Sequence, residues 1–338
     1  MKKTSLVIIY ILCLLIAGCG TVTQFKSFTE EQIEAQAVLS QREVIQHEIK
    51  QRQRIADQVF ELSIAAYPEC NELRSHISGF DIISTDSIDD QLLKGANLMG
   101  VTNAPSIISI AAGSPAANAG LKIGDVIESI NGESIKPESK NFIHKGAFYR
   151  ATELLAKTNK LGKPYEVKYT RDKQSFVTTI TPVEGCGIHV YIVRTNKPSP
   201  RANTNSALIP IHLLKVASND TELSALTSFA IASVVKKLGV PIQVMGQQSN
   251  NAPSPYFSWT LPEDYENLKV PKYSVLFSEV ESTDRYSVEL LRRANMNPDG
   301  ITNFWRKAII REVISEKDNW GVHLRSLERL SKLDALSH

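Results

Sequence analysis

Seven histidines, four cysteines and 36 Asp and Glu side chains are what this 338-residue chain could use to hold a metal or move a proton. Two imidazoles grip one ion from a helix face only when they stand three or four residues apart. The histidines fall at His47, His76, His144, His189, His212, His323 and His338, and no two have that spacing. Each is expected to be a surface or a satisfied structural residue. A serine nucleophile needs the sharp G-x-S-x-G turn, and the sequence contains no such stretch. Beyond the N-terminal apolar segment that holds Cys13 and Cys19, Cys70 and Cys186 are the remaining thiols. An even pair in an oxidising compartment reads as a disulfide. Two buried thiols or two metal ligands are the alternatives, and no Cys-x-x-Cys spacing supports the second.

The compartment follows from the first residues. Met1-Lys2-Lys3 is a basic start, and Leu6 to Ala17 is an unbroken run of 12 apolar residues. A spanning helix needs roughly 20, so the run reads as the core of a signal peptide. Its end, Leu15-Ile16-Ala17-Gly18-Cys19, resembles a bacterial lipobox. The resemblance implies cleavage after Gly18, loss of Cys13 and lipidation of Cys19. Gly20 then stands where an aspartate would resemble an inner-membrane retention signal. The expected setting is the bacterial cell envelope, lipid-anchored on the outer membrane and facing the periplasm. Acyl chains give ~0.8 kcal/mol per buried methylene and anchor a protein without a spanning helix.

Composition narrows the classes further. With 42% apolar and 22% charged residues the chain is ordinary globular material, which excludes wholesale disorder and a many-span membrane protein. Lys2 and Lys3 account for the net charge of +2, so the chain beyond Gly18 is neutral and offers no electrostatic footprint for nucleic acid. The length allows two or three domains.

These residues need elements to position them. Thr29-Glu30-Glu31-Gln32 has capping-box spacing. A Gln/Glu/Arg-rich segment follows, with apolar residues at Ile45, Ile49, Ile55, Val59, Leu62 and Ala66 on one helical stripe that Pro68 stops. It reads as a polar stalk helix packed on the body near its C-terminal end. Further on, Ser106–Ile110 is a β-branched strand. Ser114-Pro115 starts a short helix that Gly120 ends, Gly124-Asp125 turns, and Asn131-Gly132 closes a hairpin. A helix around 146–157 and strands at Tyr165–Tyr169 and Ser175–Thr181 complete the region.

The run Gly113-Ser114-Pro115-Ala116-Ala117-Asn118-Ala119-Gly120-Leu121-Lys122-Ile123-Gly124-Asp125 closely resembles the bacterial PDZ domain. The resemblance implies binding of an extended peptide or a protein C-terminus by strand addition beside a helix. The carboxylate-capturing loop would fall on Ser78-Gly79-Phe80-Asp81. A plain start of a strand with Phe80 in the core is the alternative for these four residues.

The C-terminal region, 186–338, reads as helical with a small sheet. Its clearest helix opens at Asn219-Asp220, carries Leu223, Leu226, Ala230, Ile231, Val234, Val235 and Leu238 on its stripe, and is stopped by Gly239, with Lys236 and Lys237 at its C-terminal end. Before it, Ala207–Ile211 reads as an edge strand, because Pro210 cannot donate to a ladder. Cys186–Val193, Ser206–Lys215 and Asn219–Leu223 together resemble the HtpX/CAAX-prenyl-protease-like zinc metallopeptidases. In that family the helix leads into H-E-x-x-H, where two histidines grip zinc and a glutamate activates a water. The resemblance places Phe229 and Ser233 at the two histidines, Ala230 at the glutamate and Val280 at the third ligand. None can do that work. Ser199-Pro200-Arg201-Ala202-Asn203 likewise departs from the family's N-A-x-A-D. Scaffold positions survive at Glu222, Leu223, Asp284, Asn297, Pro298, His323 and Arg329.

The expected architecture is α+β: a signal peptide over 1–18, a lipid-anchored tether and long helix over 19–68, a PDZ-like β-barrel domain over 78–183, and a degenerate metallopeptidase-like domain over 186–338. The expected function is peptide or protein binding by an envelope lipoprotein with no catalytic residue, metal or cofactor, and with the C-terminal domain as scaffold or regulator. The alternative is a zinc-dependent metalloendopeptidase in envelope protein quality control.

Overall fold

The computed structural model describes residues 28–135, 146–193, 201–202, 205–238, 275–311 and 323–337. Cys19, the signal segment, His144, His338, Ser199, Pro200, Asn203 and Gly239 lie outside them. The chain forms two compact units, residues 1–39 and residues 40–338. In the first, the capping box forms as its spacing requires: Gln32 N–H donates to the Thr29 hydroxyl (3.2 Å) and Thr29 N–H to the Gln32 side chain (3.1 Å). It starts helix α1, Glu30–Ala66, which continues into the second unit, with Pro68 just past its end.

Within residues 40–338 α1 is more than a stalk. Its apolar positions divide among three clusters. Ile45 packs with Ile83, Ile88, Ala96, Val101 and Ile108; Phe60 packs with Ile77 and Ala111; Ile55, Leu62 and Ala66 join the C-terminal core. Glu48, Gln51, Arg52 and Gln58 are buried as well. A helix clasped from two sides buries polar faces that a one-stripe reading assigns to water.

The central sheet is built from β2 (Phe80–Ile83), β3 (Ser106–Ile110), β4 (Val126–Ile130), β5 (Glu133–Ser134), β6 (Tyr165–Arg171) and β7 (Gln174–Ile180). The strands lie in the order β2-β3-β4-β6-β7, all antiparallel, with β5 hairpinned onto β4. This corrects the expected barrel: the described strands form an open sheet with β2 and β7 at its two ends. Short α2 (Leu93–Leu98) lies between β2 and β3, and α3 (Pro115–Asn118) between β3 and β4. The turn residues sit where their conformations are needed. Ser114 caps α3, Gly120 and Gly124 have φ of 78° and 93°, and Asn131-Gly132 closes the β4–β5 hairpin at φ of 49° and 75°. Helix α4, Ala147–Leu161, ends at Gly162 in the left-handed region and buries Phe148, Ala151, Leu154 and Leu155 against Phe80, Ile82, Ile107 and Val167.

A two-stranded stem carries this sheet. β1 (Arg74–Ile77) leads in and β8 (Val183–Cys186) leads out, paired antiparallel with Arg74 opposite Cys186. The disulfide Cys70–Cys186 clamps the stem, joining Cα atoms 5.8 Å apart across 116 residues of sequence.

The remaining chain has its own small sheet. β9 (His189–Val193) runs parallel to β11 (Ser206–Pro210), which pairs antiparallel with the two-residue β10 (Arg201–Ala202). β11 is therefore central, contrary to the edge expected from Pro210. β10 reaches only Ala207 and Leu208, so the proline stands beyond the end of that ladder. The one-turn helix α5 (Ile211–Leu214) follows, then α6 (Asp220–Val235), capped by the Asn219 side chain. Residues 222–234 of α6 are all buried, so it is the central helix of this core. Around it pack α7 (Phe277–Arg293), α8 (Gly300–Ile310) and α9 (Leu327–Ser337). Lys236 and Lys237 reach beyond the helix end to Glu69 (3.0 Å) and Glu72 (2.7 Å) next to the disulfide.

Candidate peptide-binding site

The corner Ser78-Gly79 is fixed on every side. The Ser78 hydroxyl donates to Asn159 Oδ1 (3.0 Å) and accepts from the Tyr165 hydroxyl (2.7 Å). The Ser78 carbonyl accepts the Ala116 N–H, and the Gly79 carbonyl accepts the Ala111 N–H at 2.8 Å. Gly79 has φ of 76°, and a Cβ there would stand 2.4 Å from Ser114 Cβ, so the position requires glycine on both counts. From this corner β2 runs along the sheet end. Helix α4 is pinned beside it at both ends: the Phe148 N–H donates to Asp86 just past β2 (3.0 Å), and the Asn159 carbonyl faces His76 Nδ1 just before it (3.1 Å).

This arrangement places a helix alongside the terminal strand of the sheet. Among the described residues no strand lies on the other side of β2. An extended peptide adds to such an edge through its own backbone, and pockets beside the helix select its side chains. Phe80 and Ile82 face the core shared with α4. Phe80 thus belongs to the core and to the candidate strand at once.

Asp81 points the other way, towards α1, and is buried. Burial pushes its carboxyl up to about 7, against the opposing pull of Arg52 and of the Ser109 hydroxyl that donates to it (2.8 Å). Arg52, on α1, is itself buried and brought down to about 10 by the same loss of water, with Asp81 and Glu48 opposing. α1 holds the back of the sheet by two more bonds: Gln53 donates to the Ile108 carbonyl (2.8 Å), and Asp57 accepts the Ala112 N–H (2.7 Å). A cavity of about 50 Å³ remains there, lined by Ala56, Val59, Phe60, Phe80, Asp81 and Val190.

The four positions that the metallopeptidase resemblance singled out lie in the C-terminal core. Phe229, Ala230, Ser233 and Val280 are all at most 1% exposed. Phe229 meets Trp305 edge to face at 5.0 Å, and the Ser233 hydroxyl donates back to the Phe229 carbonyl at 2.7 Å. The Arg329 guanidinium lies 5.2 Å above Phe229 and 4.2 Å above Trp305; its Nε and Nη2 donate to the Asp284 carboxylate (2.7 and 2.8 Å) and its Nη1 to the Leu324 carbonyl (3.2 Å). Asp284 and Arg329, which the resemblance matched to the family's scaffold, thus form one buried pair. Glu222, another of them, pairs with Lys307 at 2.5 Å. A zinc ion does not fit these positions: a phenyl ring, two alkyl groups and a hydroxyl already committed to backbone make no donor set. Among the described residues no three His, Cys, Asp or Glu side chains come together to hold a metal.

His189 departs from its expectation as a surface or satisfied residue. It is buried in β9 beside Tyr191, its Nδ1 has no hydrogen-bond partner, and burial brings it down to about 3. Sequence reasoning also missed the stem, the Arg52–Asp81 juxtaposition and the ion pair of Asp125 with Arg171 (2.6 Å). No local pattern marks a pair 46 residues apart.

The family profile of the PDZ domain matches residues 106–143, and the chain carries a PDZ domain there. The match begins at β3, so it does not include Ser78–Asp81, and its last residues, 136–143, lie outside the described ones. No curated protein matches the chain.

Proposed function

We infer from the PDZ domain that the chain binds peptide or protein partners. We propose that this protein is a lipoprotein of the bacterial envelope that captures extended peptides or protein C-termini at β2, beside α4. The observation that carries the reading is the glycine corner at Gly79, leading into the terminal strand of the sheet with a helix pinned alongside. The lipobox-like end at Cys19 supports the anchor, and the neutral chain beyond Gly18 fits a protein partner rather than nucleic acid. The C-terminal domain acts as a catalytically inactive, zinc-free scaffold or regulator, since Phe229, Ala230, Ser233 and Val280 replace every group that zinc hydrolysis would need.

Selection of a random C-terminal peptide library on the full chain tests this. Binders are expected, and Gly79→Val, which distorts the corner, is expected to lose them. Failure to select any binder, or binders indifferent to Gly79→Val, contradicts the proposal. For the anchor, Cys19→Ser is expected to leave unprocessed or soluble protein; a processed, membrane-retained variant contradicts it.

A further inference from the structure

A strand at the end of a sheet presents a row of unpaired N–H and C=O groups, and folded proteins blunt such edges with short strands, charges, prolines, bulges or cover. The other outer strands described here use one of these devices. β5 and β10 are two residues long, β1 carries Arg74 and His76, and β8 carries Glu184. β2 is four residues long, carries Asp81 and shifts register after it, and β9 is buried along its whole length. β7 uses none. Its seven residues include no charge and no proline, and it pairs with β6 without a register shift. Among the described residues no strand lies on its far side. Gln174 to Val177 are exposed, Phe176 by 37% and Val177 by 58%.

We infer that β7 is a self-association surface, pairing antiparallel with β7 of a second copy about a two-fold axis at Val177. In that register Val177 meets its own equivalent, Phe176 meets Thr178, Ser175 meets Thr179 and Gln174 meets Ile180. Opposed residues then share a face, so the two sheets continue into one another. The strand is its own complement: no like charges meet, and the two exposed apolar side chains lie at or next to the axis, where the partner strand covers them. Phe176 is already held, stacked on Tyr169 at 5.6 Å with the Arg171 guanidinium 5.7 Å from its ring, so little freedom remains to be lost on pairing. β2 lies at the opposite end of the strand order, so pairing through β7 does not use β2. Two grooves on one assembly would hold a partner carrying two such peptides by avidity.

Sedimentation of the full chain in detergent, with charge reversal and cross-linking, tests the inference. The wild type is expected to be a dimer. Val177→Asp and Val177→Lys place like charges face to face, and each is expected to weaken the dimer ~10-fold or more. An equimolar mixture of the two variants is expected to regain it, which a misfolded variant could not do. Val177→Cys is expected to form an intermolecular disulfide on oxidation, and Thr179→Cys, displaced from the axis, is not. A monomeric wild type, a dimer indifferent to both charges, or cross-linking equally strong at residue 179 would overturn the inference.

Discussion

The PDZ sheet and the α6 core would do their chemistry with different parts of the chain. Peptide capture at β2 would use backbone N–H and C=O groups, so what the sequence must supply is geometry: a glycine at 79, a cap at Ser114, left-handed turns at Gly120 and Gly124. Zinc hydrolysis would use side chains, so it lives or dies with the residue types at four positions. At those positions α6 and α7 present Phe229, Ala230, Ser233 and Val280, all buried, with Phe229 against Trp305 and Arg329. A backbone site survives almost any change of side chain outside its turns. A metal site does not survive the exchange of an imidazole for a phenyl ring, although the helix that carried it can survive intact.

The largest expected effects break the C-terminal side of this comparison. Asp284→Leu leaves the buried Arg329 guanidinium without its carboxylate and should cost ~3–5 kcal/mol in urea unfolding. Asp284→Leu with Arg329→Met should recover much of that loss. Phe229→Ala opens a cavity against Trp305 and should cost ~3–5 kcal/mol. Phe229→His with Ala230→Glu and Ser233→His should bind no stoichiometric zinc by metal analysis, because Val280 denies the third ligand. A chelator-sensitive peptidase in that variant, or in the wild type, would erase the contrast between the two regions.

Next in size is the clamp between the regions. Cys70→Ser with Cys186→Ser releases a loop of 116 residues and should cost ~2–5 kcal/mol. Thiol labelling of the denatured, unreduced wild type should find neither Cys70 nor Cys186 reactive.

The remaining effects are titrations of opposite sign. Asp81, in the sheet, is held up to about 7, so the folded chain keeps a proton that the unfolded chain releases near pH 4. Stability on its account is full below about pH 4 and falls as pH rises towards 7. His189, in the C-terminal domain, is held down to about 3, so its contribution is full above about pH 6.5 and is lost as pH falls towards 3. Asp81→Asn should flatten the first slope and His189→Phe the second, each measured as unfolding free energy against pH.

Legibility in the sequence follows the same division. Turn chemistry is local, so Ser114, Gly120, Gly124 and Asn131-Gly132 could be assigned to their conformations directly, and the capping box at Thr29 likewise. Helices α1 and α6 announce themselves by cap and stripe. What joins distant segments was not legible. Arg52 on α1 meets Asp81 on β2, Arg171 meets Asp125, and the stem strands β1 and β8 are too short to show alternation. The Pro210 rule failed because it takes account of the missing N–H but not of where the neighbouring strand stops. Of the candidate site, the PDZ motif was plain, whereas the loop at Ser78–Asp81 became a site only when α4 was found pinned beside it.

The central claim is that the working surface is the edge of β2 and that α6 is inert core. Amide hydrogen exchange of the full chain, with and without a peptide selected from the C-terminal library, tests it most directly. The expected result is slowed exchange across residues 80–83 and along α4, with residues 222–234 unchanged. Protection centred on α6 with none at β2 would contradict the account.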